Sequence, residues 1–122
     1  MKPLELKPLA SLKDYQEYVI ELEEQRGFSD QNALEKCLLL GEEMGELFKA
    51  IRKTIKLKMD VNSNTGPVKD ELADIFIYVC AIANRFDINL EKICYLLAIQ
   101  ILEVNLTDQV DEGRRPHAWS LE

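Results

Sequence analysis

The chain has 122 residues, enough for one domain with a modest core and too few for two. With 15 Lys+Arg against 22 Asp+Glu its formal net charge is −7, a surface that repels a nucleic-acid backbone. No apolar run approaches the roughly 20 residues of a membrane span, and "MKPLELKPLASL" lacks a signal-peptide core, so a cytoplasmic protein without nucleic-acid or membrane partners is expected.

Ser11 and Asp14 form a capping-box pattern that opens a first helix, which should run to about Arg26 before Gly27. Asn32 and Glu35 repeat the pattern, and a helical periodicity then extends to about Lys58. "DVNSNTG" is a turn-rich loop, and Pro67 suits the first position of a third helix, "VKDELADIFIYVCAIANRF". After the short connection "DIN", a fourth helix should run from Leu90 to about Asp108, leaving residues 109–122 as an irregular tail. No repeat, linker or convincing strand is visible. The expected fold class is therefore all-α, a bundle of four to five helices in a single domain over 1–122. The cysteines, Cys37, Cys80 and Cys94, form no C-x-x-C pair and sit among apolar neighbours, which reads as buried free thiols.

The second helix contains "GEEMGELFKAIRK", with carboxylates beside core-forming leucines. Helical neighbours lie three and four residues apart, so Glu43 shares its face with Leu39, Leu40 and Leu47, at the edge of an apolar stripe. Alone, such a helix reads as a solvated face held by ion pairs. The third helix alters that reading. Glu71 and Asp74 are again three apart, among Leu72, Ile75, Phe76 and Val79, and their stripe holds no lysine or arginine after Lys69. Burying such carboxylates costs several kcal/mol unless something neutralises them. If the two helices pack antiparallel, Glu43 and Glu46 face Glu71 and Asp74. A divalent cation resolves the resulting repulsion. An all-oxygen ligand set selects a hard ion, Mg²⁺, with Mn²⁺ as a substitute. A di-iron bundle would need Glu-x-x-His pairs, and the single histidine, His117, lies in the tail.

"EEMGE" followed by "ELAD" resembles the EExxE…ExxD signature of the all-α nucleoside triphosphate pyrophosphohydrolases, the MazG-like superfamily. The resemblance runs from "EEQRGF" to "ELADIFIYVCAIANRFDINL", most of the chain. It implies Mg²⁺-dependent cleavage of a (deoxy)nucleoside triphosphate between the α and β phosphates, giving the monophosphate and pyrophosphate, in nucleotide-pool house-cleaning. It also implies that Glu43, Glu46, Glu71 and Asp74 bind the metal, with Glu42 positioning or deprotonating the attacking water.

Lys49 and Lys53, with Arg52 beside them, lie one to two turns beyond Glu46, within reach of phosphates or simply favourable near a helix C-terminus. On the fourth helix the family commonly has a lysine four residues before an asparagine. Asn105 fills the asparagine place, whereas Ile101 stands where the lysine would be, and Arg114 and Arg115 come late. Phe28, Tyr78, Asn84 and Trp119 are candidates to contact a base. A related activity, phosphoribosyl-ATP pyrophosphohydrolysis, and a non-catalytic nucleotide-sensing bundle are the alternatives. With 47% hydrophobic residues, and with "CYLLAIQIL" apolar around nearly its full circumference, the chain is expected to bury its excess in a homodimer or homotetramer.

Overall fold

The computed structural model describes residues 3–112, with side chains through Thr107. It contains four helices and, among the described residues, no strand: α1 (Leu12–Arg26), α2 (Ala33–Thr54), α3 (Val68–Arg85) and α4 (Leu90–Glu112). Among the described residues no helix is long and apolar enough to cross a membrane. Arg114, Arg115, His117 and Trp119 lie outside the described residues.

Both expected capping boxes are present. The Ser11 hydroxyl accepts from the Asp14 N–H while the Asp14 carboxylate accepts from the Ser11 N–H, and Asn32 and Glu35 repeat the exchange at α2. Pro67 is the cap residue before α3, one position ahead of its expected place.

Helix ends differ more. Gly27, in the left-handed region, ends α1, with the Phe28 N–H donating to the Glu23 carbonyl at 2.8 Å. The same closure ends α2 four residues earlier than the side-chain pattern suggests. Lys56 is left-handed (φ 60°), its N–H donates to the Lys53 carbonyl, and the Leu57 N–H donates to the Arg52 carbonyl at 2.9 Å. Asp87 (φ 53°) closes α3 likewise, through Ile88 to the Ala83 carbonyl. Only one of these turns uses glycine, so two were silent in the sequence. Helix α4 continues to Glu112, past the expected Asp108.

The chain divides into two compact units, Met1–Asn89 and Leu90–Glu122. In the first, α3 packs against both α1 and α2. Contacts between α2 and α3 run in opposite order: Gln31 meets Arg85, Lys36 meets Tyr78, and Glu43 meets Asp74 and Glu71. The two helices are therefore antiparallel. Tyr15 of α1 stands edge-on to Phe76 of α3, with ring centroids 5.3 Å apart. The buried apolar core is small: Val19, Leu22, Ala50, Cys80, Ala81 and Ala83.

Of the cysteines, Cys80 is buried and burial pushes its thiol up to about 11, whereas Cys37 and Cys94 are exposed, contrary to expectation. Cys37 lies on a side of α2 where Leu34 and Leu38 are exposed too, so that side faces neither α1 nor α3. Large apolar side chains also stand exposed along the rest of α2 (Met44, Phe48, Ile51), on α3 (Leu72, Phe86), and throughout α4 (Ile93, Leu97, Ile101).

Candidate metal centre

Glu43 projects from the middle of α2, and Glu71 and Asp74 from the first turns of α3. The antiparallel pairing brings their carboxylates together, with one oxygen from each lying within 4.8 Å of the others. Glu71 is buried, at 8% exposure, Glu43 is half-buried, and Asp74 is exposed. Among the described residues no lysine or arginine pairs with any of the three. Burial, then the charges of Asp74, Glu71, Glu46 and Glu42 in that order, raises the pKa of Glu43 above the ordinary glutamate value.

The loop before α3 fits itself to this group. A Cβ at Gly66 would run into the Glu71 carboxylate, so glycine lets the backbone pass beside it. The hydroxyl of the adjacent Thr65 is buried without a hydrogen-bond partner.

The donor set is all oxygen and carries three negative charges. Six-coordinate Mg²⁺ holds oxygens at about 2.0–2.1 Å, which sets ligand oxygens about 3–4 Å apart. Three oxygens within 4.8 Å are close to that spacing, and small side-chain rotations close the difference. The residues present therefore fit a hard divalent cation.

The other expected site residues are placed as follows. Glu46 is outside the group of three: its carboxylate accepts from the Lys49 ammonium at 2.9 Å, one turn along α2. Lys49 is thus engaged with Glu46, and Lys53 is exposed near the end of the helix. Glu42 is exposed beside Glu43. Tyr78 follows Asp74 by one turn and is half-buried. Burial first, then the charges of Glu43, Asp74, Glu42 and Glu23, raises its pKa. Asn105 lies on α4, in the second unit. Asn84 is committed elsewhere, bonded to the Gln16 side chain and the Gln16 carbonyl, both at 3.0 Å.

Sequence reasoning missed a charged group behind Tyr78. Glu23 of α1, Lys36 of α2 and Arg85 of α3 form a triad in which Glu23 and Lys36 are buried and Arg85 is half-buried. Arg85 grips Glu23 with two N–H bonds of 2.6 and 3.0 Å, and the Lys36 ammonium lies 2.5 Å from the same carboxylate. Burial pushes the Glu23 pKa up, but the hydrogen bonds from Arg85 and Lys36 prevail and hold it below the ordinary value. Arg85 also donates to the Gln31 and Phe28 carbonyls, tying down the α1–α2 turn. The available signal was weak: Lys36 sits in the first turn of α2, where a cation is unfavourable unless it has a partner.

An all-α unit whose central antiparallel helices meet at three carboxylates defines the class: a helical domain with an acidic face that could hold a metal ion. The MazG nucleotide pyrophosphohydrolase domain matches residues 22–98, most of the chain, and the protein belongs to that family. Its structure is similar to the crystal structure of iMazG from Vibrio DAT 722, with a TM-score of 0.55 and 28% sequence identity, covering 85% of this chain and 99% of that one. Comparison with curated proteins gives no match.

Proposed function

We propose that the protein is a Mg²⁺-dependent nucleotide pyrophosphohydrolase that cleaves a (deoxy)nucleoside triphosphate between the α and β phosphates, serving nucleotide-pool house-cleaning in the cytoplasm. The observation that carries this is the cluster of Glu43, Glu71 and Asp74, with Glu71 buried and, among the described residues, no cationic side chain paired with it. In a protein of charge −7, a triphosphate needs such a cation bridge to approach at all. That the family match crosses Asn89 into α4 supports reading 1–122 as one MazG-like domain.

In this reading Glu43, Glu71 and Asp74 would hold the metal, and Glu46, now paired with Lys49, would be the fourth carboxylate to do so. A Mg²⁺ ion held there would supply charge neutralisation to the phosphates. Glu42, 100° around the helix from Glu43 and exposed, is placed to take the proton of the attacking water. Lys49, once free of Glu46, and Lys53 meet the leaving pyrophosphate. Tyr78, one turn along α3 from Asp74, meets the base. The exposed apolar faces of α2 and α4 support a homodimer or homotetramer.

The deciding experiment is release of pyrophosphate from a panel of nucleotides, phosphoribosyl-ATP included, with and without Mg²⁺. Pyrophosphate only when Mg²⁺ is present, from at least one nucleoside triphosphate, is the expected result. No release from any member means a non-catalytic role, and release from phosphoribosyl-ATP alone means the related activity.

A further inference from the structure

A small cavity of about 90 Å³ lies in the first unit, lined by Leu22, Glu23, Phe28, Lys36, Tyr78 and Ala81, among others. At roughly 30 Å³ per water it holds about three waters, the scale of a single aromatic ring rather than of a whole nucleotide. Two of its walls are aromatic. Phe28 is 46% exposed, so much of its ring is open to contact, and its position is locked by the bonds of its own N–H to Glu23 and of its carbonyl to Arg85.

Glu23, Arg26 and Lys36 bring charge to the lining, and of these the Lys36 ammonium is the one that stands over both rings. It lies 5.7 Å from the centroid of Phe28 and 5.8 Å from that of Tyr78. Lys36 is only 3% exposed. Its ammonium has three N–H donors and no acceptor, and two donors are spent, on Glu23 and on the Gln31 side-chain oxygen at 2.7 Å. One donor is left. The Glu23 carboxylate takes three bonds from the two cations Lys36 and Arg85, so the triad as a whole keeps one positive charge, which favours an acceptor over a donor beside it.

Tyr78 connects this cavity to the carboxylate cluster, since it lines the cavity and lies one turn along α3 from Asp74. A nucleotide whose phosphates lie at the cluster would direct its base past Tyr78 toward Lys36. In a pyrimidine, the ring atom opposite the glycosidic N1 is C4. The group at C4 is therefore the one that meets the ammonium. Uracil and thymine have a carbonyl oxygen there, which accepts a bond. Cytosine has an amino group, which sets donor against donor.

The geometry points to Lys36 as a specificity-determining residue: the Phe28–Tyr78 cavity takes the ring of a pyrimidine nucleotide, and Lys36 selects a 4-carbonyl over a 4-amino group. This rests on the nucleotide-binding reading above, and the two fail separately.

The test compares dUTP with dCTP in the wild-type protein with Mg²⁺, by pyrophosphate release and by equilibrium binding of their non-hydrolysable α,β-imido analogues. A charge-assisted hydrogen bond made to one and denied to the other should favour the uracil nucleotide roughly tenfold to a hundredfold, in KM or Kd rather than kcat. In Lys36→Met, which keeps the length of the side chain, that ratio should fall to near unity while Mn²⁺ affinity is unchanged. Equal handling of the two nucleotides by wild type, a cytosine preference, or a ratio that survives Lys36→Met overturns the inference. The wild-type comparison stands even if the variant does not fold. Uracil-selective binding without hydrolysis would keep the inference and reject the proposed activity. No binding of either analogue would reject both.

Discussion

Glu43 on α2 and Asp74 on α3 bring carboxylate oxygens within 4.8 Å of each other across an antiparallel helix pair, with Glu71 as a third neighbour. Like charges this close destabilise the folded chain unless a cation joins them. The arrangement is therefore a source of strain in the metal-free protein and a ready site once a metal binds.

Glu71→Gln or Asp74→Asn should abolish Mg²⁺-dependent pyrophosphate release and leave the helical circular dichroism spectrum unchanged. Each removes one charge from the cluster, so the metal-free variants should melt a few degrees higher than wild type, where about 1 kcal/mol corresponds to roughly 4 °C in a domain of this size. Wild-type turnover in either variant at saturating Mg²⁺ would show the metal assignment to be wrong.

Glu42→Gln separates chemistry from metal binding. Loss of a general base typically lowers turnover by about 10²-fold or more, and this variant should fall by that much. Its Mn²⁺ affinity, measured by isothermal titration, should change far less than that of Glu43→Gln. If both variants lose metal equally, Glu42 is a ligand and the base lies elsewhere.

Arg85→Met leaves Glu23 buried with one cation in place of two, and should cost about 3 kcal/mol at neutral pH by urea denaturation, the scale for breaking a buried ion pair. The folded-state pKa of Glu23 is depressed, so its contribution is present above the unfolded pKa and lost as pH falls through the folded one. The gap between wild type and Arg85→Met should accordingly narrow as the solution is acidified below the ordinary glutamate range. A gap independent of pH would mean that Arg85 acts through its bonds to the Gln31 and Phe28 carbonyls, not through Glu23.

The small core is the reason to expect assembly. A lone chain of 14.1 kDa would leave Leu38, Phe48, Leu97 and Leu102 facing water. Light scattering behind size exclusion at micromolar concentration should give a mass at least twice that of the chain. A fully active species at the monomer mass would reject both the interface and any pocket shared between copies.

Much of this protein is determined locally. Capping boxes at Ser11–Asp14 and Asn32–Glu35 depend on residues three apart, and helical periodicity on neighbours within a turn, so the four helices and their starts could be read directly. The pairing of Glu43 with Glu71 and Asp74 was also legible, because carboxylates on apolar stripes without cations have few other resolutions. What the tertiary structure decided concerns energies that no short segment contains. Lys56 and Asp87 adopt the left-handed conformation that closes α2 and α3, at a cost offset by the hydrogen bonds of those turns rather than by a glycine. Glu46 turns to Lys49 instead of the cluster, a choice between two nearby charges that depends on tenths of a kcal/mol at an exposed site. Glu23, Lys36 and Arg85 are separated by at least 13 residues in sequence and meet only because α1 and α2 both pack on α3. Each alone reads as a surface charge, and only packing makes them one group.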